Sequence, residues 1–148
     1  MSQKKIILSA FNIHTGGGYV LLEALFKIKN IKKFILDNRI KNKIKIKKDR
    51  AIFIKKKIFD KLFFFHKTIL NDNRDYHLLC FNNLPPIIKP KCKVILFIQT
   101  FYFFSKIKQF NFGLYTSLRI IFEKIWFRIG IKNVDEIWIQ TTTMQNRL

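Results

Sequence analysis

"KIILSAFNIHTGGGYVLLEALF", Lys5 to Phe26, decides the fold. Its opening residues, Lys5 to Ala10, are a short apolar run that reads as a buried strand. Glycines stand at Gly16, Gly17 and Gly18, and Leu21, Leu22, Leu25 and Phe26 then recur at helical spacing. That spacing predicts a helix from about Tyr19 to Lys29. Permissive residues between a strand and a helix let the backbone approach a phosphate, and the helix behind them offers free N–H groups and a positive dipole end. A tight structural turn is the competing use. Spacing does not choose between the two. Leu21 and Leu22 stand where a G-x-G-x-x-G pattern would place its third glycine, and no GxxxxGK[ST] pattern exists.

Working outward, "KKFILDNR" (32–39) and "RAIFIKKK" (50–57) read as a second and a third strand. The segment between them is basic and includes the alternating "KIKIKK". It reads as too short for a helical crossover, which predicts a hairpin-like excursion at a sheet edge guarded by lysines. "IFDKLFFFHKTIL" (58–70) reads as a helix that buries Phe59, Leu62, Phe63 and Leu70. "DYHLLCFNNLPPI" (75–87) is a strand stopped by Asn82-Asn83 and a double proline. "KVILFIQTFYFF" (93–104) is the most apolar strand, and its unbroken Val94 to Ile98 run suits a parallel sheet covered on both faces.

Residues 113–131 form the longest helix, with Leu118, Ile121, Phe122, Ile125 and Ile129 as its core stripe. A second line, Ile120, Phe127 and Ile131, flanked by Arg119, Lys124 and Arg128, suits an interfacial helix or contact with a partner domain. "NVDEIWIQTTTMQNRL" reads as a last strand, then a helix capped by Thr141 or Thr142. Alternating strands and helices with short connections predict one α/β domain over residues 1–148, with a doubly wound, mostly parallel sheet. A chain that stops in the first turn of a helix reads as a fragment or one half of a larger enzyme.

Composition narrows the function classes. The 148 residues are 49% hydrophobic, which excludes a disordered tail. No apolar run approaches the roughly 18 residues of a transmembrane helix. "MSQKKIILSAFNIH" imitates a signal peptide, but Asn12 and His14 interrupt it and no cleavage site follows, so the expected location is cytoplasmic. Cys80 and Cys92 sit in no CxxC or Cys/His cluster, so neither a metal site nor a disulfide framework is indicated.

The formal net charge is +20, and ten basic residues but only one acidic residue, Asp49, lie between Arg39 and Lys57. Nucleic-acid readers favour Arg for bidentate contacts, whereas this chain has 23 Lys and 6 Arg, so no specific nucleic-acid partner is expected. Clustered lysines attract anionic lipid at about 1 kcal/mol each, which makes a peripheral association with the inner face of a membrane the expectation. A/T-rich codon usage, which also enriches Ile, Phe and Asn, is the competing explanation of the lysines.

Ligands of open α/β sheets bind at the carboxyl ends of the strands. Asn82, Asn83, Gln99, Thr100 and Thr141 fall at such ends. Neutral amides and hydroxyls suit sugars; turn chemistry and helix capping are the plain alternatives. His14 lies beside the glycines as an acid/base candidate, while His66, inside a helix, reads as structural. Asp37 fits either a ribose hydroxyl or an ion pair with Arg39. No Ser/His/Asp or Cys/His arrangement and no paired carboxylates assign a catalytic residue.

"KKIILSAFNIHTGGGYVLLEAL", "ILFIQTFYFF" and "VDEIWIQTTTMQNRL" together resemble the amino-terminal half of glycosyltransferases with the GT-B fold, of the large family-four type. The resemblance spans nearly the whole chain and implies one Rossmann-like domain that binds the acceptor. It also implies a carboxy-terminal domain that binds a nucleotide-sugar donor, retention of anomeric configuration, and no metal or other cofactor. Gly16, Gly17 and Gly18 would face the donor diphosphate, and His14, Asn82, Asn83, Gln99, Thr100 and Thr141 the acceptor or the sugar. Many members carry a histidine where this chain has Gln99, which can hydrogen-bond a sugar but cannot shuttle a proton. The family's donor-binding carboxylates belong to its second domain, so these residues alone are not expected to transfer sugar. The implied setting is surface-polysaccharide synthesis, and the alternative is a non-catalytic α/β module for nucleotides or polyanions.

Overall fold

The structure is a computed structural model that describes residues 4–55, 57–70, 74–99 and 113–140. The elements follow in the order β1 (Lys5–Ala10), α1 (Gly16–Leu25), β2 (Ile31–Asp37), β3 (Ala51–Ile54), α2 (Ile58–Leu70), β4 (Tyr76–Cys80), β5 (Lys93–Ile98), α3 (Leu114–Gly130) and β6 (Glu136–Ile139). The six strands form a single sheet in the order β3-β2-β1-β4-β5-β6. Every neighbouring pair is parallel. This is the α/β, doubly wound, Rossmann-like arrangement that the alternation of elements predicts, and its strand order reverses between β1 and β4.

The sheet is covered on both faces, which is why its central strands are apolar without alternation. On one face Leu8, Leu36 and Leu79 pack against Leu22 of α1. On the other, Ile7, Leu78 and Leu96 pack against Phe65 of α2 and Trp126 of α3. Side chains of this size that lose all contact with water contribute about 1.5–3 kcal/mol each. Cys80 and Cys92 belong to the second cluster as free, buried thiols, and burial pushes both thiol pKa values up.

The structure corrects the reading of the chain at three places. β3 runs parallel to β2, with Phe34 opposite Ala51 and Asp37 opposite Ile54, so residues 38–50 are a crossover and not a hairpin. It manages the return without an α-helix, using short 3-10 turns at Asn38–Ile40 and Lys48–Arg50. Ile40 is fully buried, and Ile44 and Ile46 rest on the same core while Lys43, Lys45 and Lys47 point outward. The alternation in "KIKIKK" thus marks an extended strap laid across the α1 face.

The other two corrections concern which faces of α2 and α3 are buried. On α2, Phe59 is 84% and Phe63 63% exposed and Leu70 is also exposed, whereas Lys61, Phe65, His66 and Ile69 are buried. On α3, Leu118, Ile121, Ile125 and Ile129 are exposed, and Ile120, Glu123 and Trp126 are buried. Phe127 and Ile131 pack on the core beside them, so the line expected to meet a membrane or partner domain is interior. Leu62 and Phe122 pack on the core as expected, but counting apolar residues misassigns the rest of each stripe because the buried face of each helix contains charged or polar residues.

The connection Phe81 to Cys92 is held by side chains. Trp126 donates its indole N–H to the Pro85 carbonyl at 2.7 Å. Asn133 donates through Nδ2 to the carbonyls of Pro86 at 3.0 Å and Ile87 at 2.6 Å. The Ile87 amide donates to Nε2 of His66 at 2.9 Å, and Nδ1 of His66 lies 2.7 Å from the Leu62 carbonyl. His66 is therefore the neutral tautomer with its proton on Nδ1. Its role is structural, as its place in the helix predicts. Gly130 lets α3 lie on this segment, since a Cβ there would stand 2.8 Å from Pro85 Cγ and 3.0 Å from two carbonyl oxygens.

Candidate functional site

A cavity of about 400 Å³ opens at the carboxyl ends of β1, β4 and β5, over the point where the strand order reverses. The β1–α1 loop contributes Asn12 and His14 to its wall, and the first turn of α1 contributes Gly18. Asn82 and Asn83 come from the end of β4, and Gln99 from the end of β5. Five of the residues singled out from sequence, His14, Gly18, Asn82, Asn83 and Gln99, are thus brought together. Gly16 and Gly17 are exposed at the start of α1, off the cavity wall. Thr100 and Thr141 lie outside the described residues.

The glycines have distinct local causes. Gly16 adopts φ +70°, the left-handed region that disfavours any other L-residue. Gly18 lets α1 approach β5, because a Cβ there would stand 2.9 Å from Oε1 of Gln99. Gly17 has open space where a Cβ would be. Thr15 caps α1 without a side-chain hydrogen bond, and no acidic residue occupies the first turn. Gly16 is thus required by the chain's own path, and the helix start keeps its N–H groups uncovered by a side-chain cap.

The amides differ in how far they are spent. Asn83 holds φ 61°, which asparagine tolerates better than most residues, and accepts from the Gln99 backbone N–H through Oδ1. Gln99 donates Nε2 to the Phe81 carbonyl at 3.1 Å. These two residues fix each other. Asn82 is 3% exposed and accepts the Ser9 hydroxyl at 3.3 Å, but its Nδ2 has no partner although it is buried. An amide donor left empty away from water costs roughly 1–3 kcal/mol, a cost a bound acceptor would offset.

Charged residues complete the wall, and two of them, Lys61 and Glu123, are not singled out by the sequence. Lys61 of α2 is 8% exposed, and its ammonium donates to Oδ1 of Asn12. Burial holds its pKa below the ordinary lysine range, against the pull of the Glu123 and Asp37 carboxylates. Glu123 of α3 accepts from Nδ2 of Asn12 at 3.4 Å and lies 3.9 Å from Nε of Arg119. Arg39 reaches the wall from the end of β2, donating to Nε2 of His14 at 2.9 Å. Behind it, fully buried Asp37 takes the Arg39 guanidinium at 2.8 and 2.6 Å and its backbone N–H at 2.9 Å. Of the two uses open to Asp37, the structure shows the ion pair.

The signal that points to Lys61 and Glu123 is a charge inside an otherwise apolar helical stripe. Such a charge is rare in a core unless it is paired or faces a ligand.

Among the described residues, no group of three or more His, Cys, Asp or Glu side chains is placed to hold a metal ion. Among the same residues no helix is long and apolar enough to cross a membrane. The chain matches no protein-family model, no curated protein and no solved structure.

Proposed function

We propose that this domain is the acceptor-side half of a GT-B glycosyltransferase that moves a hexosyl group from a nucleotide-sugar to a glycan or lipid-linked acceptor. One observation carries the reading: the cavity lies at the strand-order switch point, where ligands of this fold bind, and amides from three separate strand ends line it. Asn83, Gln99 and His14 would line the sugar's side of the cavity, with the Asn82 amide left to donate to an oxygen of the ligand. The uncovered N–H groups of Gly16, Gly17 and Gly18, with the dipole of α1, would face the donor diphosphate from across the interdomain cleft. The chemistry would be charge stabilisation of an oxocarbenium-like state and its diphosphate leaving group. That scheme asks the protein for no metal and no cofactor besides the nucleotide-sugar itself.

A second reading, a non-catalytic module for nucleotides or polyanions, is favoured by the cations Arg39, Lys61 and Arg119 on the same wall. The test translates the gene through and past the codon for Leu148 and incubates the product with UDP- and GDP-hexoses and an acceptor panel. Hexosylated product detected by mass spectrometry, with nucleotide released in equal amount, is the expected result. Stoichiometric nucleotide binding with no product on any acceptor replaces the transferase with the binding module.

A further inference from the structure

Neutral amides alone would suit a neutral sugar, but the cavity is not neutral. Lys61 enters it from α2, Arg119 from α3 and Arg39 from the end of β2, while Glu123 is the single carboxylate on the wall. Arg39 is answered from behind by Asp37, and Glu123 is engaged by Arg119 and Asn12. Lys61 feels the Glu123 and Asp37 carboxylates as attraction and both arginines as repulsion. The three cations outnumber these two carboxylates, which leaves a net positive charge at the cavity for an anion to complete. The second, independent observation is Nδ2 of Asn82, a buried donor on the same wall with no partner. Cationic donors thus line the cavity from α2, α3 and the end of β2, three separate elements around one space that can meet the several oxygens of one anionic group.

We infer that the cavity takes a ligand carrying a phosphoryl oxyanion on a hydroxylated body, with Lys61, Arg119 and Asn82 as its seat. Asn83 and Gln99 are already joined to each other and to Phe81, so they shape the wall, while these three residues choose the ligand's charge. In the transferase reading, on which this inference rests for its place in a reaction, the phosphoryl group belongs to the acceptor or to the donor diphosphate.

The test is titration of the full chain, followed by NMR amide shifts and calorimetry, with α-D-glucose 1-phosphate, methyl α-D-glucoside, inorganic phosphate and UDP. The sugar phosphate is expected to bind about tenfold or more tightly than the neutral glucoside and to move the Asn82 side-chain amide resonance. Lys61→Met and Arg119→Gln are each expected to cost roughly tenfold in that affinity. Arg119 is half exposed, so its variant folds even where Lys61→Met does not. Lys27→Gln removes an exposed lysine remote from the cavity and is expected to change affinity by less than about twofold. Equal binding of the neutral and phosphorylated sugars overturns the inference, as does an equal loss in the Lys27 variant, which would reduce the effect to net charge. UDP that displaces the sugar phosphate assigns the oxyanion to the donor; UDP that does not assigns it to the acceptor. Sugar phosphate bound without any hexosyl product keeps the seat and removes the transferase. Transfer to neutral acceptors undiminished in Lys61→Met does the reverse.

Discussion

Two polar regions flank Trp126 and behave in opposite ways. On one side the Pro85–Ile87 segment is clamped, and every partner the clamp uses is matched: the Trp126 indole, both Asn133 donors and both nitrogens of His66. On the other side is the cavity, where Asn82 leaves its donor empty and the cations Lys61, Arg39 and Arg119 outnumber the carboxylates Glu123 and Asp37. Buried polar groups are ordinarily satisfied, so an all-satisfied cluster reads as architecture and an unsatisfied one as a place prepared for something else. The two regions share a helix pair, α2 and α3, and the aromatic contacts of Trp126 with Phe11, Phe65 and Phe122 lie between them.

The largest effect is expected where the two regions meet. Trp126→Ala removes a 2% exposed indole, its ring contacts and the donor to the Pro85 carbonyl. Large-to-small changes of this kind cost about 3–5 kcal/mol. Urea denaturation of the variant measures it. A loss below about 1 kcal/mol would mean that the clamp is not the fixed part of the comparison.

The next effect sets one buried asparagine against another. Asn133→Leu strips the carbonyls of Pro86 and Ile87 of their side-chain donor, with an expected cost of about 2–4 kcal/mol at roughly 1–3 kcal/mol per orphaned group. Asn82→Leu removes a buried donor that has no partner, which offsets the loss of the acceptor for the buried Ser9 hydroxyl, so stability is expected to change by less than about 1 kcal/mol. Chemical denaturation of the pair gives the difference directly. Equal losses would erase the distinction between clamp and cavity.

The same distinction explains how much was legible from sequence. Strand–helix alternation fixes the α/β class, and the run Lys5–Ala10 followed by glycines places the switch-point loop. Strand-end polarity finds Asn82, Asn83 and Gln99 because loops at that edge carry few competing roles for amides. The buried faces of α2 and α3 were not legible. Apolar periodicity assumes a buried stripe free of charge, yet Lys61 and Glu123 sit in the stripes that point inward, and Phe59, Phe63, Ile121 and Ile125 point out. The direction of β3 failed for another reason. Residues 38–50 return to the other end of the sheet as a strap anchored by Ile40, and helix or turn signals do not encode such a path.

The smallest effect is a pH dependence that belongs to the clamp alone. His66 accepts the Ile87 amide through Nε2, and that bond exists only while the ring is neutral. Burial lowers its pKa from the ordinary 6.5, with the Leu62 carbonyl opposing. A folded pKa below the unfolded one means that the unfolded chain binds the proton more readily. The stabilisation is therefore complete above about pH 6.5 and is lost as pH falls through the folded value. Stability measured from pH 7.5 downward should decline below about 6.5 in the native chain, and a His66→Gln variant, less stable throughout, should lack that component. The other two histidines are the same in both proteins, so the difference between the two curves isolates His66. A difference that stays constant with pH would show that folding leaves the ring's pKa unshifted, and the Nε2 bond to the Ile87 amide would then not be what keeps the ring neutral.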